Sequence, residues 1–123
     1  MKAEDRLLDD WLDDLLVMAE KIVAYTTDID YSQFLNNEPV RDLVIKKIEN
    51  MGEATRYIRE LFPDFYEAAP IPWRDIRRMR NRLTHGYFDV LELVLWETAR
   101  DDIPVLLEEL RRVIGEYRAS AGR

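Results

Sequence analysis

Apolar residues return at every third or fourth position along almost the whole of this chain, and nowhere do they alternate for long. Leu8, Leu12, Leu15, Ala19 and Ile22 set the spacing, which buries one side of a helix and leaves the other to water. The pattern predicts a first helix over residues 4–26. Val40, Val44, Ile48, Met51, Ile58 and Leu61 predict a second long helix near 38–62, with Asn36 and Asn37 as candidate caps and Pro39 in its first turn. Residues 27–38 connect the two, with room for one short helical turn. Pro63, Pro70 and Pro72 punctuate a loop before a third helix over 72–86, which ends near Gly86. Asp89 with Glu92 resembles a capping box for a fourth helix, and Asp102 with Pro104 restarts the chain as a fifth. No repeat, linker or low-complexity segment interrupts the series. The expected architecture is all-α: a single antiparallel bundle of four to five helices over residues 1–123.

Composition narrows the chemistry. A chain of 123 residues, 47% apolar and 35% charged, has the size and balance of one soluble domain with a sound core. It contains no cysteine, which removes disulfides, zinc–thiolate sites and cysteine nucleophiles. The opening MKAEDRLLDDWLDD has acids where a secretory signal needs a basic segment and then an apolar one. No apolar run approaches the roughly 20 residues that span a bilayer. A cytoplasmic location is expected.

Charge is unevenly spread. The net value is −7, yet residues 71–90 carry Arg74, Arg77, Arg78, Arg80 and Arg82 against only Asp75 and Asp89. A local basic patch of this kind can grip a phosphate chain even on an acidic protein. At the other extreme, Asp9/Asp13 and Asp10/Asp14 form like-charged pairs four residues apart on the first helix. A solvated face is the expected role for them, ahead of a cation site or a docking strip for a basic partner.

Three further positions stand out. Gly52 lies in the middle of the second helix, where it costs about 1 kcal/mol against alanine; close approach of another helix is the simplest reason for it. The fourth helix is apolar on two sides, with Leu91 and Leu95 off the stripe of Val90, Val94 and Trp96. Such a helix is either central or at a subunit interface. The third helix holds the only histidine, His85, within MRNRLTHGYF. On a helical wheel with Ile76 at zero, Met79, Leu83 and Tyr87 define the apolar face, and Arg80 falls at about +40°, inside or beside it. Arg74, Arg78, Asn81, Arg82 and His85 fall between about 140° and 240°, on the opposite side. Arg80 is therefore placed where a charge needs a partner or a cleft, and Glu49 or Glu53 of the second helix could pair with it. His85 projects among arginines, which favours the neutral imidazole.

Cutting RNA without a metal needs a base for the 2′-hydroxyl, an acid for the leaving 5′-oxygen, and cations near the crowded phosphate. One histidine does not easily fill both proton-transfer roles, but a two-fold dimer would bring two to one cleft. The same residues also suit two other readings. One is a non-catalytic accessory subunit that binds nucleotide or RNA phosphates, and the other is a structural dimer whose arginines meet intersubunit carboxylates.

The run IPWRDIRRMRNRLTHGYFDV resembles the signature of the HepT-like HEPN family: an arginine, four residues, a histidine, any residue, a tyrosine. Here these are Arg80, His85 and Tyr87. IENMGEATRYI (48–58) is similar to the family's "GEA" segment, and VLWETARDDIPVLLEEL (94–110) also fits. The resemblance implies a homodimeric, metal-independent endoribonuclease of a type VII-like toxin–antitoxin pair, needing no cofactor. Its partner would be a minimal nucleotidyltransferase that neutralises it by adding AMP to Tyr87. Carried over, Arg80 and His85 are the catalytic pair and Asn81 is the supporting polar residue. Arg77, Arg78 and Arg82 would hold RNA phosphates. Arg80 and His85 stand about 140° apart on the wheel, so either the helix end is distorted or a dimer completes the site.

Overall fold

The computed structural model describes residues 2–85 and 88–122, with side chains for all of these except Thr84, His85 and residues 88–91. Every regular element among the described residues is helical. A 3-10 turn at Ala3–Asp5 precedes α1 (Leu8–Thr26), α2 (Tyr31–Leu35), α3 (Glu38–Leu61), α4 (Pro63–Ala68), α5 (Trp73–His85), α6 (Phe88–Glu97) and α7 (Ile103–Ser120). A π-helical turn, Thr98–Asp102, joins the last two. No helix among the described residues is long and apolar enough to cross a membrane.

The expected 4–26 helix is broken near its start, and the cause is local. Leu7 is extended, and its N–H donates to the Asp10 carboxylate at 3.0 Å, so the helix proper starts at Leu8. Asp9 and Asp10 then occupy the first turn, where the helix dipole favours negative charge. The acidic face of α1 is tied down rather than simply solvated. Arg118 of α7 donates to Asp9 at 2.7 Å and approaches Asp13 at 3.7 Å, while Arg6 donates to Asp14 at 2.7 Å. Arginines from elsewhere in the chain thus offset the like-charge repulsion along the helix.

Two pairings bring α1, α3 and α7 together. α3 starts at Asn37, whose side-chain oxygen accepts the Val40 N–H at 3.2 Å, with Pro39 in the first turn. Trp11, early in α1, stacks on Tyr57, late in α3, at 4.9 Å, so the two helices are antiparallel. Arg118 meets the start of α1, and Arg100, just before α7, donates to the Thr26 carbonyl at 2.8 Å, so α7 is also antiparallel to α1. Between these three helices lie Leu12, Leu15, Ile22, Val44, Ile48, Ile58, Leu110 and Ile114, all essentially inaccessible to water. Each would cost about 2–5 kcal/mol if truncated to alanine.

Two departures from the sequence pattern follow from proline chemistry. The segment expected as a loop contains α4, with Pro63 at its first position, where the missing N–H costs nothing. Tyr66 of α4 stacks on Trp73 at 4.9 Å, and the Trp73 indole donates to the Tyr66 carbonyl at 2.8 Å, which fixes where α5 begins. Pro104, expected to restart the chain, interrupts nothing. Its missing donor and its ring would disturb a regular α-helix at the preceding turn, and the wider π turn accommodates both. α6 starts at Phe88, so Asp89 lies inside its first turn rather than ahead of it; the side-chain pairing expected of Asp89 and Glu92 falls outside the described residues. In α6, Leu95 is buried and Leu93 is 46% exposed, while Val90 and Leu91 fall outside the described side chains.

Gly115 offers a calibration of glycine in this fold. It lies on the exposed side of α7, and a Cβ there would meet nothing within 4 Å. Gly115→Ala is therefore expected to stabilise the protein by about 1 kcal/mol, read as a rise of a few degrees in Tm.

Candidate functional site

Helix α5 carries both the core contact and the basic face. Trp73, Ile76, Met79 and Leu83 are buried, as the wheel requires for the last three, while Arg74, Arg77, Arg78, Arg80, Asn81 and Arg82 are exposed. Arg80, expected beside the apolar face where a charge needs a partner or a cleft, is exposed and lines a hollow against α3, with its stem lying across Gly52. A Cβ on Gly52 would stand 2.2 Å from the Arg80 Cδ, 3.1 Å from Cγ and 3.2 Å from Cβ. Gly52 is thus kept small by one arginine stem rather than by a neighbouring backbone.

That contact creates a hollow of about 120 Å³ lined by Gly52, Glu53, Arg56 and Arg59 from α3 and by Arg77, Arg80 and Asn81 from α5. Arg56 pairs with Glu53, reaches Glu60 at 3.3 Å, and lies over the Tyr57 ring at 4.3 Å. The hydrogen bond from Arg56 holds the Glu53 carboxyl below its usual range; burial opposes this, and the charges of Arg56 and Arg80 assist it. Glu53 in turn raises the already high pKa of Arg56. Of the two carboxylates expected to answer Arg80, Glu53 lies in the hollow and feels its charge, whereas Glu49 does not line it. A lowered folded pKa means that the Glu53 pairing is fully present above the ordinary carboxylate pKa of about 4.3. It fades only as pH falls through the lowered value. The hollow therefore keeps its Glu53 charge at every pH near neutrality.

Arg77 and Asn81 also border an open basic face shared with Arg74, Arg78 and Arg82. Arg78 and Arg82 additionally rim a larger hollow of about 380 Å³ whose opposite side carries Asp101, Asp102 and Glu109. α5 is helical through His85, so no distortion turns position 85 toward Arg80 within one chain. Position 85 instead lies one turn beyond Asn81, on the same row of the helix. The His85 side chain and Tyr87 fall outside the described residues. Among the described residues no cluster of three or more acidic or histidine side chains is placed to hold a metal ion. Sequence reasoning missed Arg56 and Arg59, although Gly52, Arg56 and Arg59 follow the spacing i, i+4, i+7 that sets them on one face.

An all-helical fold with a basic hollow between the Gly52 and Arg80 segments defines the class. The family model described as Ribonuclease HepT-like matches residues 15–113, a span that contains both segments. The chain belongs to the HepT-like ribonuclease family. One similar protein, a candidate RNase of Methanocaldococcus jannaschii, is 38% identical over 104 residues, covering 84% of this chain and 93% of its own length. A second candidate RNase from that organism is 37% identical over 105 residues, covering 85% and 88%. A candidate ribonuclease HepT of Thermococcus cleftensis is 39% identical over 107 residues, covering 84% and 94%. No solved structure matches the chain at a significant level.

Proposed function

We propose that this chain is a metal-independent endoribonuclease, the toxin of a two-gene toxin–antitoxin pair, acting as a homodimer in the cytoplasm. The observation that carries this reading is the seating of Arg80 across Gly52, which gathers both family segments into one basic hollow. Membership in a ribonuclease family and the RNase names of the relatives support it.

In this reading one His85 imidazole takes the 2′-hydroxyl proton and the freed oxygen attacks the adjacent phosphorus. The bond from phosphorus to the 5′-oxygen then breaks, and the protonated His85 of the second copy gives that oxygen its proton. The products are a 2′,3′-cyclic phosphate and a 5′-hydroxyl. Arg80 meets the charge that builds on the phosphate oxygens, and Asn81 beside it donates to them. The unbroken α5 favours completion by a second copy, because one chain keeps its Arg80 and His85 about 140° apart. The cognate partner is a minimal nucleotidyltransferase that moves AMP from ATP to the Tyr87 hydroxyl and releases pyrophosphate. The added group would then lie two residues from His85 and obstruct the cleft.

The test couples two readouts. Purified protein in the presence of a chelator should cut RNA to cyclic-phosphate ends. Co-expression with the nucleotidyltransferase should add the mass of AMP and silence cleavage, and Tyr87→Phe should abolish the mass gain. Protein that binds RNA but never cuts it would leave the accessory-subunit reading instead.

A further inference from the structure

Arg59 has no place in the chemistry above, yet α3 presents it at the mouth of the same hollow. It is exposed, and neither it nor Arg77 has an ion pair among the described residues. Arg56, which also lines the hollow, is already committed to Glu53 and Glu60. The available positive charge therefore lies on Arg59 from one wall and Arg77 from the other. Arg77 and Asn81 border both this hollow and the open face of Arg74, Arg78 and Arg82. A basic path thus crosses from α3 over α5.

We infer that Arg59 and Arg77 form a phosphate-binding subsite for single-stranded RNA, on the α3 side of Arg80. It holds a nucleotide next to the bond being cut, and so rests on the ribonuclease reading above. The hollow, at about 120 Å³ between two helices, takes one phosphodiester group and is too small for a duplex or a docking helix. Guanidinium forks match phosphate oxygens in a way that a lone point charge does not. The chain's excess of acid elsewhere, −7 overall, repels RNA from other surfaces and leaves this path as the favourable one.

The experiment uses the whole protein and a 2′-O-methyl RNA oligonucleotide, which lacks the attacking hydroxyl and stays intact whatever the catalyst. Binding is followed by fluorescence anisotropy through a salt series. Arg59→Gln and Arg77→Gln should each weaken binding severalfold, by similar factors for different sequences. Each should also reduce the slope of log affinity against log salt by about 0.7. The double variant should lose about twice that. Both residues are exposed, so unchanged thermal melting is the check that the fold survives. An unchanged slope and affinity with intact cleavage of ordinary RNA would overturn the subsite and leave the ribonuclease standing. The expected loss of slope in a protein that cuts no RNA would keep the subsite and remove the catalyst. Variants that bind RNA as the parent does but no longer capture the nucleotidyltransferase would also overturn it, assigning the arginines to a protein surface.

Discussion

The His85→Ala protein is expected to fold as the parent does and to cut RNA about 10²–10⁴-fold more slowly. The fold should tolerate the change because α5 is held by Trp73, Ile76, Met79 and Leu83, and alanine is a good helix former. The rate should fall because the chain has no other histidine to supply the proton transfers. If two copies share the cleft, both transfers disappear together, which places the loss toward the upper end of that range. Single-turnover cleavage beside thermal melting measures both halves of the expectation. A variant that melts normally and cuts at the parental rate would end the role assigned to His85.

Gly52→Ala should give a second large effect, with no change in any charge. Alanine at a mid-helix position ordinarily stabilises by about 1 kcal/mol, and Gly115→Ala should show that gain undisturbed. At Gly52 the new methyl would fall 2.2 Å from the Arg80 Cδ, so the arginine must leave its bed on α3. Loss of a placed donor for the transition-state charge costs about 10²–10³ in rate. The expected combination is a protein that melts close to the parent and cuts RNA about 100-fold more slowly. Combining the change with Arg80→Ala should cost no activity beyond Arg80→Ala alone, since the Cγ and Cδ that the new methyl obstructs are then gone. Additive losses, or parental cleavage by Gly52→Ala, would show that Arg80 does not depend on this seat.

What could be read from the sequence divides by range. The stripes of α1 and α3, and the start of α3 at Asn37 and Pro39, follow from local spacing and so were legible; the start of α1 at Leu8 was not, because it turns on the Leu7 N–H meeting the Asp10 carboxylate. α4 was not, because Pro63 marks a helix start as readily as a loop and the wheel shows nothing of Tyr66 stacking on Trp73. The α6–α7 junction misled for a similar reason: Pro104 breaks a regular α-helix, and the sequence does not announce a π turn. The basic face of α5 was visible, but its relation to Gly52 was not. Each wheel describes one helix, and the meeting of an arginine stem with a glycine on a neighbour belongs to packing between them. Arg56 and Arg59 were within reach, because they share the row of Gly52.

The π turn has a consequence for where the chain tolerates insertions and deletions. Leu95, Ala99 and Ile103 are spaced four apart and are all buried, although steps of four overrun a 3.6-residue turn by about 40° each. The looser coil at Thr98–Asp102 absorbs the overrun, acting as a gearwheel with an extra tooth between two shafts. Deleting one residue there would rotate α7 by about 100° against its neighbours. Leu106 and Leu110 would swing outward, and Arg118 would lose its hold on Asp9. A segment with none of the proposed site residues thus governs whether the last helix closes over the core.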